Sequence, residues 1–454
     1  MPLTIGYRPW SVHTGTEQTG QTSYEFDGRR TVNWRISVSA RRAARRLDED
    51  EQGTTDPGSS PAVYVHAELA HTNNEAKGEH PMINPYTKTD TPAPHRRGFL
   101  KSAVLASAAL LGATMLAPAQ ASAAQTWKVQ SVWDAGTVGY DLFEQWANEM
   151  EEKTAGELKI KPFPAKSVAA DNNALFDAVR NNVLQGMNPF TIYWSGKIPA
   201  SVFLTSYPAG PDQPAQWDTM FYSMGMLEKT REIYKKFGLF YVGPIQHDAN
   251  IIHAKKAVKS LEDLHGMKMR LPGGMVAEVF GKFGVSSVSL PGSDIFPALE
   301  KGTIDAADYV GPAVNYELGF SQVTDTILMG PPGVMSIYQP VDLMDLTVNL
   351  RSWNKLSPKV QKIVEDEVRS YSQRHYLTIQ KRNILAMEKF KADGTAVSRL
   401  SQADVEAFRR AAIPIWFNWA NKDADARAIF DMQLEYMMNE TVGYISPDDI
   451  KGME

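Results

Sequence analysis

The chain of 454 residues contains no cysteine. Disulfide bonds, thiolate metal sites, iron–sulfur clusters and cysteine nucleophiles are therefore excluded. The sequence also lacks the HExxH, GxSxG, P-loop and GxGxxG patterns that mark several large classes of enzyme. Its nine histidines show no spacing typical of metal ligands, and His247 and His253 are expected to be structural. No set of side chains forms a recognisable catalytic centre.

An excess of positive charge is absent as well. The formal net charge is −5. A mildly acidic chain of this kind argues against nucleic acid or an anionic membrane surface as a partner. An anionic small molecule would need a cationic side chain placed locally in its binding site.

Two adjacent arginines, Arg96 and Arg97, precede a stretch without charge at 102–124. The layout is typical of a twin-arginine export signal, and its apolar core is shorter than the roughly 20 residues that a membrane-spanning helix needs. We therefore expect residues 82–123 to be a signal peptide that is removed on export to the periplasm. The small-residue pattern of a cleavage site is formed by Ala119, Ala121 and Ala123.

Residues 1–81 differ from the rest of the chain in composition. They hold arginine pairs, an acidic run at 48–51 and a segment rich in Gly, Ser, Thr and Pro at 53–61. Such a composition buries too little apolar surface to offset the entropy of ordering. We expect this segment to be disordered, or not to be translated at all. A nucleic-acid-binding arm is the alternative suggested by its arginine pairs.

Strand and helix signals alternate after the predicted signal peptide. The remaining length, about 330 residues, is typical of two domains. Alternating strands and helices indicate an α/β fold with parallel-dominated sheets. The main strands are predicted at 127–132, 158–163, 267–271 and 306–310.

The last hundred residues carry two long helical patterns, at 357–390 and 401–438. Ser357 and Ser401 are the expected N-caps, and Pro414 is expected to break or kink the second helix. Beyond Pro414, apolar residues cover more than one face of the helix. Such a helix either packs on its own chain or is exchanged with a partner subunit.

Three stretches carry a family resemblance: YWSGKIPA at 193–200, LEDLHGMKMR at 261–270 and LPGSDIFPALEKGTIDAADYVGP at 290–312. In their order and spacing they resemble the periplasmic solute-binding proteins of TRAP (tripartite ATP-independent periplasmic) transporters. The resemblance is strongest to the branch that binds 2-oxo and 2-hydroxy monocarboxylates. It implies a two-lobed periplasmic binding protein (Venus-flytrap) fold with long C-terminal helices.

The same resemblance suggests how the chain divides between the lobes. Lobe I is expected to hold residues 124–247 and 310–343. Lobe II is expected to hold residues 248–309 and 344–412. A C-terminal helix and tail follow at 413–454.

The resemblance assigns the central binding role to Arg270, which stands at the position of the family's carboxylate-binding arginine. A planar guanidinium that is always charged suits a carboxylate in a cleft better than a lysine ammonium does. Tyr193 and Trp194 match the family's aromatic pair and are expected to shape the cleft around the ligand.

Asp308 and Tyr309 stand where this branch usually carries Glu-Trp, whose acid helps to hold a cation that bridges to the ligand. A Ca or Na ion needs several oxygen ligands, and one Asp supplies only part of them. Gln246, Asp248 and Asn250 are two residues apart and would share one face of a strand. Gln246 is the candidate second metal ligand. Asp248 and Asn250 are candidate substrate contacts that could take the place of the family's glutamine, or the site holds no cation.

These inferences lead to a receptor without catalytic residues or an obligatory cofactor. We expect it to capture an organic acid by lobe closure and to deliver it to the TRAP membrane permease. The segment VMSIYQP at 334–340 departs from the family pattern and leaves the identity of the acid open. A twin-arginine-exported enzyme acting on a small carboxylate is the alternative. A homodimer formed by exchange of the C-terminal helix also remains open.

Overall fold

The computed structural model describes residues 19–26, 30–37 and 124–453. The predicted signal peptide and most of residues 1–81 lie outside these ranges. The strands, in chain order, are β1 (Thr19–Phe26), β2 (Arg30–Ser37), β3 (Gln125–Ser131), β4 (Leu158–Phe163), β5 (Gly186–Asn188), β6 (Leu239–Gln246), β7 (Ile251–Ala254), β8 (Lys268–Arg270), β9 (Ser286–Val288), β10 (Ala306–Tyr309), β11 (Thr326–Met329), β12 (Leu343–Asn349) and β13 (Ala396–Arg399). Strands β1 and β2 pair antiparallel with each other, which differs from the disorder expected for residues 1–81.

Eleven α-helices occur in the described part of the chain. In order they are α1 (Val138–Lys153), α2 (Asn172–Arg180), α3 (Pro214–Ser223), α4 (Met226–Lys235), α5 (Gly274–Gly281), α6 (Ile295–Glu300), α7 (Pro312–Glu317), α8 (Leu350–Trp353), α9 (Pro358–Ala392), α10 (Gln402–Ala420) and α11 (Ala424–Met437). No helix among the described residues is long and apolar enough to cross a membrane.

Two mixed sheets form the cores of two lobes. The first has the strand order β4-β3-β5-β12-β6 and the second the order β13-β11-β7-β10-β8-β9. In each sheet one strand runs against its neighbours. That strand is β12 in the first sheet and β7 in the second. The expected α/β fold with two lobes is confirmed.

The chain crosses between the lobes before each of these reversed strands, and again through α9, which lies between β12 of the first sheet and β13 of the second. Residues 247–250 lead from β6 into β7, and residues 330–342 lead from β11 into β12. The expected lobe boundaries differ from this arrangement, since β11 belongs to the second sheet and β12 to the first. The boundaries differ because β12, whose seven residues are all buried, lies between β5 and β6 and so belongs to the first lobe.

The caps of the two long C-terminal helices are as expected. The Ser357 side chain accepts from the backbone N–H of Val360 at the start of α9, and Ser401 forms a capping box with Asp404 at the start of α10. Pro414 does not end α10, which continues to Ala420. The proline lies on the exposed side of the helix, where the carbonyl that it leaves unpaired can be hydrated.

Helix α11 packs on its own chain in this structure. Ile429 and Phe430 are fully buried, and Phe430 contacts Phe203 with 5.1 Å between ring centroids. The buried Gln433 donates to the carbonyl of Phe203 at 2.6 Å and accepts from the Tyr207 hydroxyl at 3.1 Å. These contacts anchor the C-terminal segment to the first lobe.

Candidate functional site

The two crossing segments lie side by side and form the floor of the cleft between the lobes. The backbone N–H of His247 donates to the carbonyl of Asp342 at 2.8 Å, and that of Asn250 donates to the carbonyl of Gln339 at 3.0 Å. Side chains on these segments are therefore held between the two lobes. A hinge at this position would carry such side chains along with any change of the angle between the lobes.

Arg270 ends β8 and is only 1% exposed. Its Nε donates to the carbonyl of Leu290 at 2.9 Å, and its Nη1 donates to the carbonyl of Asp308 at 2.7 Å. The guanidinium carbon also lies 4.9 Å from the centre of the Tyr309 ring. Within the described residues Nη2 has no hydrogen-bond partner. The guanidinium is thus fixed on one side and has a free donor on the other.

Arg270 borders a small cavity of about 270 Å³, its opening included, which we call the inner cavity. Both lobes and both crossing segments contribute to its wall. The lining residues are Phe190, Ile192, Tyr193, Asn250, Arg270, Pro272, Tyr309, Val310, Gln339 and Asp342.

Asp308 lies next to this cavity and is completely buried. Its Oδ1 accepts from the amide of Asn250 at 2.6 Å, whereas its Oδ2 has no partner among the described residues. Burial raises the pKa of Asp308 to about 7, although the positive charge of Arg270 and the hydrogen bond from Asn250 act in the opposite direction. At neutral pH the carboxyl is therefore partly protonated.

Two polar residues of the inner cavity, Gln339 and Asp342, were not predicted from the sequence. The Gln339 side chain accepts from the amide of Asn250 at 3.0 Å. Asp342 is buried, and burial, together with the charges of Asp248 and Asp308, raises its pKa well above the usual value. The sequence offered one signal for Asp342, which is a charged residue within the apolar run that leads into β12.

The expectation that Gln246 and Asp308 would share a metal site is wrong. Strand β6 ends at Gln246. The side-chain amide of Gln246 donates to the carbonyl of Pro214 at 3.1 Å and to the Asp218 carboxylate at 2.8 Å. The alternation of a strand stops there, so Asn250 reaches Asp308 and Gln246 does not.

Asp248 also lies away from the inner cavity, contrary to the expectation that it contacts the substrate. Its Oδ1 accepts from the backbone N–H of Gly311 at 3.1 Å, and its Oδ2 accepts from the Asn383 amide of α9 at 3.0 Å. His247 Nε2 lies 3.2 Å from the same Oδ1. Burial raises the pKa of Asp248 to about 7. The carboxyl joins a crossing segment to α7 and α9.

The two residues of the aromatic pair, Tyr193 and Trp194, lie in different environments. Tyr193 lines the inner cavity, and burial raises the pKa of its phenol against the charge of Arg270. Trp194 is instead a core residue, 1% exposed, whose indole N–H donates to the Tyr234 hydroxyl at 3.1 Å. Trp194 was expected to touch the ligand, but adjacent residues of the 3₁₀ turn Thr191–Trp194 point in different directions.

Oxygen atoms near Arg270 suit a hard cation. Asp308 Oδ2 and Asn250 Oδ1 are buried acceptors without a donor in the described part of the chain, and Gln339 and Asp342 add further oxygens nearby. Carboxylate and amide oxygens are the ligands preferred by Ca²⁺. No cluster of three or more His, Asp or Glu residues suited to a metal occurs between residues 124 and 453. A cation here would therefore depend on amide and ligand oxygens as well.

The chain matches a known protein family and a curated relative. Residues 129–423 match the family model of bacterial extracellular solute-binding proteins, family 7. The chain is 30% identical over 352 residues to the monocarboxylate 2-oxoacid-binding periplasmic protein of Nostoc sp. PCC 7120, covering 74% of this chain and 92% of that protein.

Solved structures show the same architecture. A TRAP transporter solute-binding protein from Bordetella bronchiseptica, with copurified calcium and picolinate in its active site, has 27% identity and a TM-score of 0.63, and the match covers 69% of this chain and 91% of that one. A TRAP protein from Colwellia psychrerythraea with bound calcium and pyruvate shares the fold at 24% identity and a TM-score of 0.62, over 69% and 94% of the two chains. This chain belongs to the family 7 bacterial extracellular solute-binding proteins, the DctP family of TRAP receptors.

Proposed function

We propose that this protein captures a 2-oxo or 2-hydroxy monocarboxylate in the cleft between its lobes and delivers it to a TRAP membrane permease. The observation that carries the proposal is the buried Arg270, whose Nη2 has no partner among the described residues and which borders a cavity lined by both lobes. The ligand carboxylate takes this free donor. Because the carboxylate interacts with both lobes only when they are closed, binding favours the closed form.

Relatives of known specificity support this choice of ligand. The Nostoc protein is named for monocarboxylate 2-oxoacids, and the Bordetella protein holds picolinate with calcium. A 2-oxo acid and picolinate share one chemical feature, a second electron-pair donor on the atom next to the carboxylate. The exported-enzyme alternative has no support, since the family consists of binding proteins.

The charge balance of the inner cavity favours an accompanying cation. The charge of Arg270 is balanced by Asp308 once that carboxyl is ionised, so a ligand carboxylate adds a negative charge that no side chain of the inner cavity compensates. Burying such an excess of like charge is strongly unfavourable. Asp308, Asn250 and Gln339 would hold a Ca²⁺ or Na⁺ ion, which supplies positive charge and orients the carboxylate and 2-oxygen of the ligand.

Ligand affinity should therefore depend on both cation and pH. A cation binds the ionised carboxylate, and the pKa of Asp308 is about 7 in the empty site, so affinity falls as the pH drops below about 7. Binding at pH 6 should also release protons. Isothermal titration calorimetry with pyruvate, with and without Ca²⁺ and in buffers of different ionisation enthalpy, measures both effects.

Asp308→Asn is the matched variant for this experiment, because it keeps an oxygen but removes the ionisable group. Ligand affinity of this variant should no longer depend on Ca²⁺ and should no longer fall as the pH drops below about 7. Full affinity of the parent protein in the presence of a chelator, in buffer free of Na⁺, would contradict the proposed cation.

The adjacent Tyr193 and Trp194 should respond differently to the loss of their polar atoms. Tyr193→Phe removes a hydroxyl from the cavity wall and should weaken ligand binding by roughly 5- to 10-fold with little change in stability. Trp194→Phe removes the hydrogen bond to Tyr234 and leaves space in the core, which should lower the free energy of unfolding by about 1–3 kcal/mol. Calorimetry and thermal melts of the two variants separate the roles. Equal effects of both changes on affinity would show that Trp194 also contacts the ligand.

A thermal-shift screen tests the receptor function itself. The screen compares short 2-oxo and 2-hydroxy acids with neutral sugars and amino acids, each with and without Ca²⁺ or Na⁺. A ligand that binds only the folded state raises the melting temperature. A shift with one or a few of the acids supports the proposal, and the absence of a shift with any of them contradicts it.

Export and assembly complete the proposal. We propose a periplasmic location reached by the twin-arginine route, supported by Arg96, Arg97 and the following uncharged stretch. N-terminal sequencing of the protein from hosts with and without the twin-arginine translocase tests this.

A dimer formed by exchange of α11 would reuse the contacts that Gln433 now makes within one chain. Sedimentation analysis distinguishes this dimer from the monomer.

A further inference from the structure

Helix α9 carries a stripe of apolar side chains on its solvent-facing side. Leu377, Ile384 and Leu385 are 67%, 66% and 48% exposed. The other large apolar side chains that are exposed in the described part of the chain are all valines outside α9. A single exposed apolar residue is ordinary, whereas several on one element mark a contact surface. We call the set Leu377, Lys381, Ile384, Leu385 and Glu388 the α9 stripe.

The α9 stripe also holds two unpaired charges of opposite sign. Lys381 and Glu388 are exposed, and neither side chain has an ion pair or a hydrogen-bond partner within residues 124–453. Residues three, four and seven apart lie on one side of a helix, and seven residues span about 10 Å along its axis. The two charges therefore flank the apolar pair Ile384 and Leu385 on the same side of α9.

A groove between α7 and α9 runs beside the α9 stripe. Its volume is about 820 Å³, its opening included. Leu385 and Glu388 line it from α9, and Ala313 and Tyr316 line it from α7. The stripe is therefore open to side chains of another molecule on this flank as well.

The other cations on this part of α9 are accounted for within the chain. Lys389 lies 5.2 Å from the centre of the Tyr316 ring, and the charge of Arg382 acts on Glu317. Lys391 lies in the last turn of α9, where a cation stabilises the C-terminus of a helix. The α9 stripe itself thus carries one positive and one negative charge.

This balance of charge suits a second copy of the same chain. A two-fold axis between Ile384 and Leu385 pairs two α9 helices antiparallel, and a contact of this symmetry occurs in both directions. Lys381 then faces Glu388 of the partner subunit, and Glu388 faces Lys381 of the partner subunit. The apolar residues meet at the centre, where their burial supplies most of the stabilisation. An anionic membrane surface would instead repel Glu388.

We infer that this protein forms a symmetric homodimer through the α9 stripe, with two ion pairs between Lys381 and Glu388 around an apolar centre. No residue of the stripe belongs to α11, so this dimer needs no exchange of helices. No residue of the stripe lines the inner cavity, so the inference stands independently of the receptor function. A single pair of helices is a small interface, and the dimer should dissociate on dilution.

Charge reversal tests the pairing of the two helices. Lys381→Glu places like charges opposite each other twice in a symmetric dimer, and so does Glu388→Lys. Each variant alone should therefore dimerise about 30-fold more weakly than the parent. Mixed together, the two variants should form a heterodimer within about 3-fold of the parent affinity, because every facing pair is again of opposite sign. Sedimentation velocity over a dilution series measures each dissociation constant.

A second variant tests the apolar centre. Ile384→Asp should weaken dimerisation by about 100-fold or more, because a side chain of each subunit loses its burial. Val183→Asp is the matched control, since Val183 is 59% exposed and lies outside α9. Circular dichroism should show that all variants are folded, and calorimetry with pyruvate and Ca²⁺ should give the affinity of the parent for each. A lack of pyruvate binding by every form would contradict the receptor proposal and leave the dimer as it is.

Three outcomes would overturn the inference. The first is a parent protein that stays monomeric at every concentration. The second is a dimer that Lys381→Glu and Ile384→Asp leave intact, as expected if the subunits exchange α11 instead. The third is a mixture of the two charge variants that remains monomeric. Association of that mixture supports the inference, because misfolding of either variant cannot produce it.

Discussion

Replacing Arg270 with alanine is expected to weaken binding of the ligand by about 100-fold or more. The variant keeps the buried carboxyls of Asp308 and Asp342 but removes the cation that faces them. Breaking a buried charge pair on one side typically costs about 3–5 kcal/mol, and each 1.4 kcal/mol corresponds to about a tenfold change in affinity. No other change in the inner cavity removes as much favourable charge.

Arg270→Lys separates charge from geometry. Lysine keeps one positive charge but cannot donate at the same time to the carbonyls of Leu290 and Asp308 and to the ligand, as the guanidinium does. The lysine ammonium lacks the planar set of donors of the guanidinium, so this variant should recover only part of the ligand affinity that Arg270→Ala loses. Calorimetry with pyruvate and Ca²⁺ at pH 7.5 ranks the parent, lysine and alanine forms.

The control for Arg270 is an arginine with no buried contacts. Arg410 has a 72% exposed side chain and a single ion pair of 4.0 Å, so Arg410→Ala should leave affinity unchanged. Circular dichroism shows whether each variant is folded. If folded Arg270→Ala bound pyruvate as tightly as the parent protein, the assignment of the carboxylate site would be wrong.

Local patterns in the sequence predicted the features that depend on neighbouring residues. The N-caps Ser357 and Ser401 are decided within one turn of helix, and Arg270 lies in a continuous stretch that resembles its family. Such features can be predicted without knowing how distant segments of the chain pack together. This is also why the alternation of strands and helices correctly indicated the fold class.

Features that depend on distant segments were missed. Gln339 and Asp342 reach the site because residues 330–342 pair with residues 247–250, and nothing local in the sequence indicates that pairing. The expected grouping of Gln246 with Asp308 assumed a continuous strand through 250. The strand ends at Gln246, and the loss of alternation at one residue decides which side chain faces the cleft.

Gly311→Ala is expected to lower the free energy of unfolding by about 2–4 kcal/mol, although only one methyl group is added. The new Cβ would overlap the Asp248 carboxylate, lying 2.7 Å from its Cγ, and would be 3.0 Å from the Asn383 amide nitrogen. Gly311 has φ −73°, so alanine introduces no backbone strain. The effect is one of space alone.

Asp248 has no alternative position that keeps its partners. Its two oxygens accept from the Gly311 backbone N–H and from the Asn383 side-chain amide, and the side-chain Oδ1 of Asn383 accepts in turn from the backbone N–H of Ala313 at 2.8 Å. Moving the carboxyl leaves buried donors on α7 and α9 without acceptors, and each such loss costs about 1–3 kcal/mol. The network also joins the crossing segment to α9, so ligand affinity should fall together with stability.

A double-mutant cycle tests the steric cause of the Gly311→Ala effect. In an Asp248→Ala background the overlap with the carboxylate is gone, so Gly311→Ala should cost much less than it does in the parent. Gly281→Ala is the matched control, because its Cβ would meet no atom within 4 Å and its helical position favours alanine. Chemical denaturation at pH 7 gives the four free energies of unfolding. Equal costs of Gly311→Ala in the two backgrounds would rule out Asp248 as the group that alanine displaces.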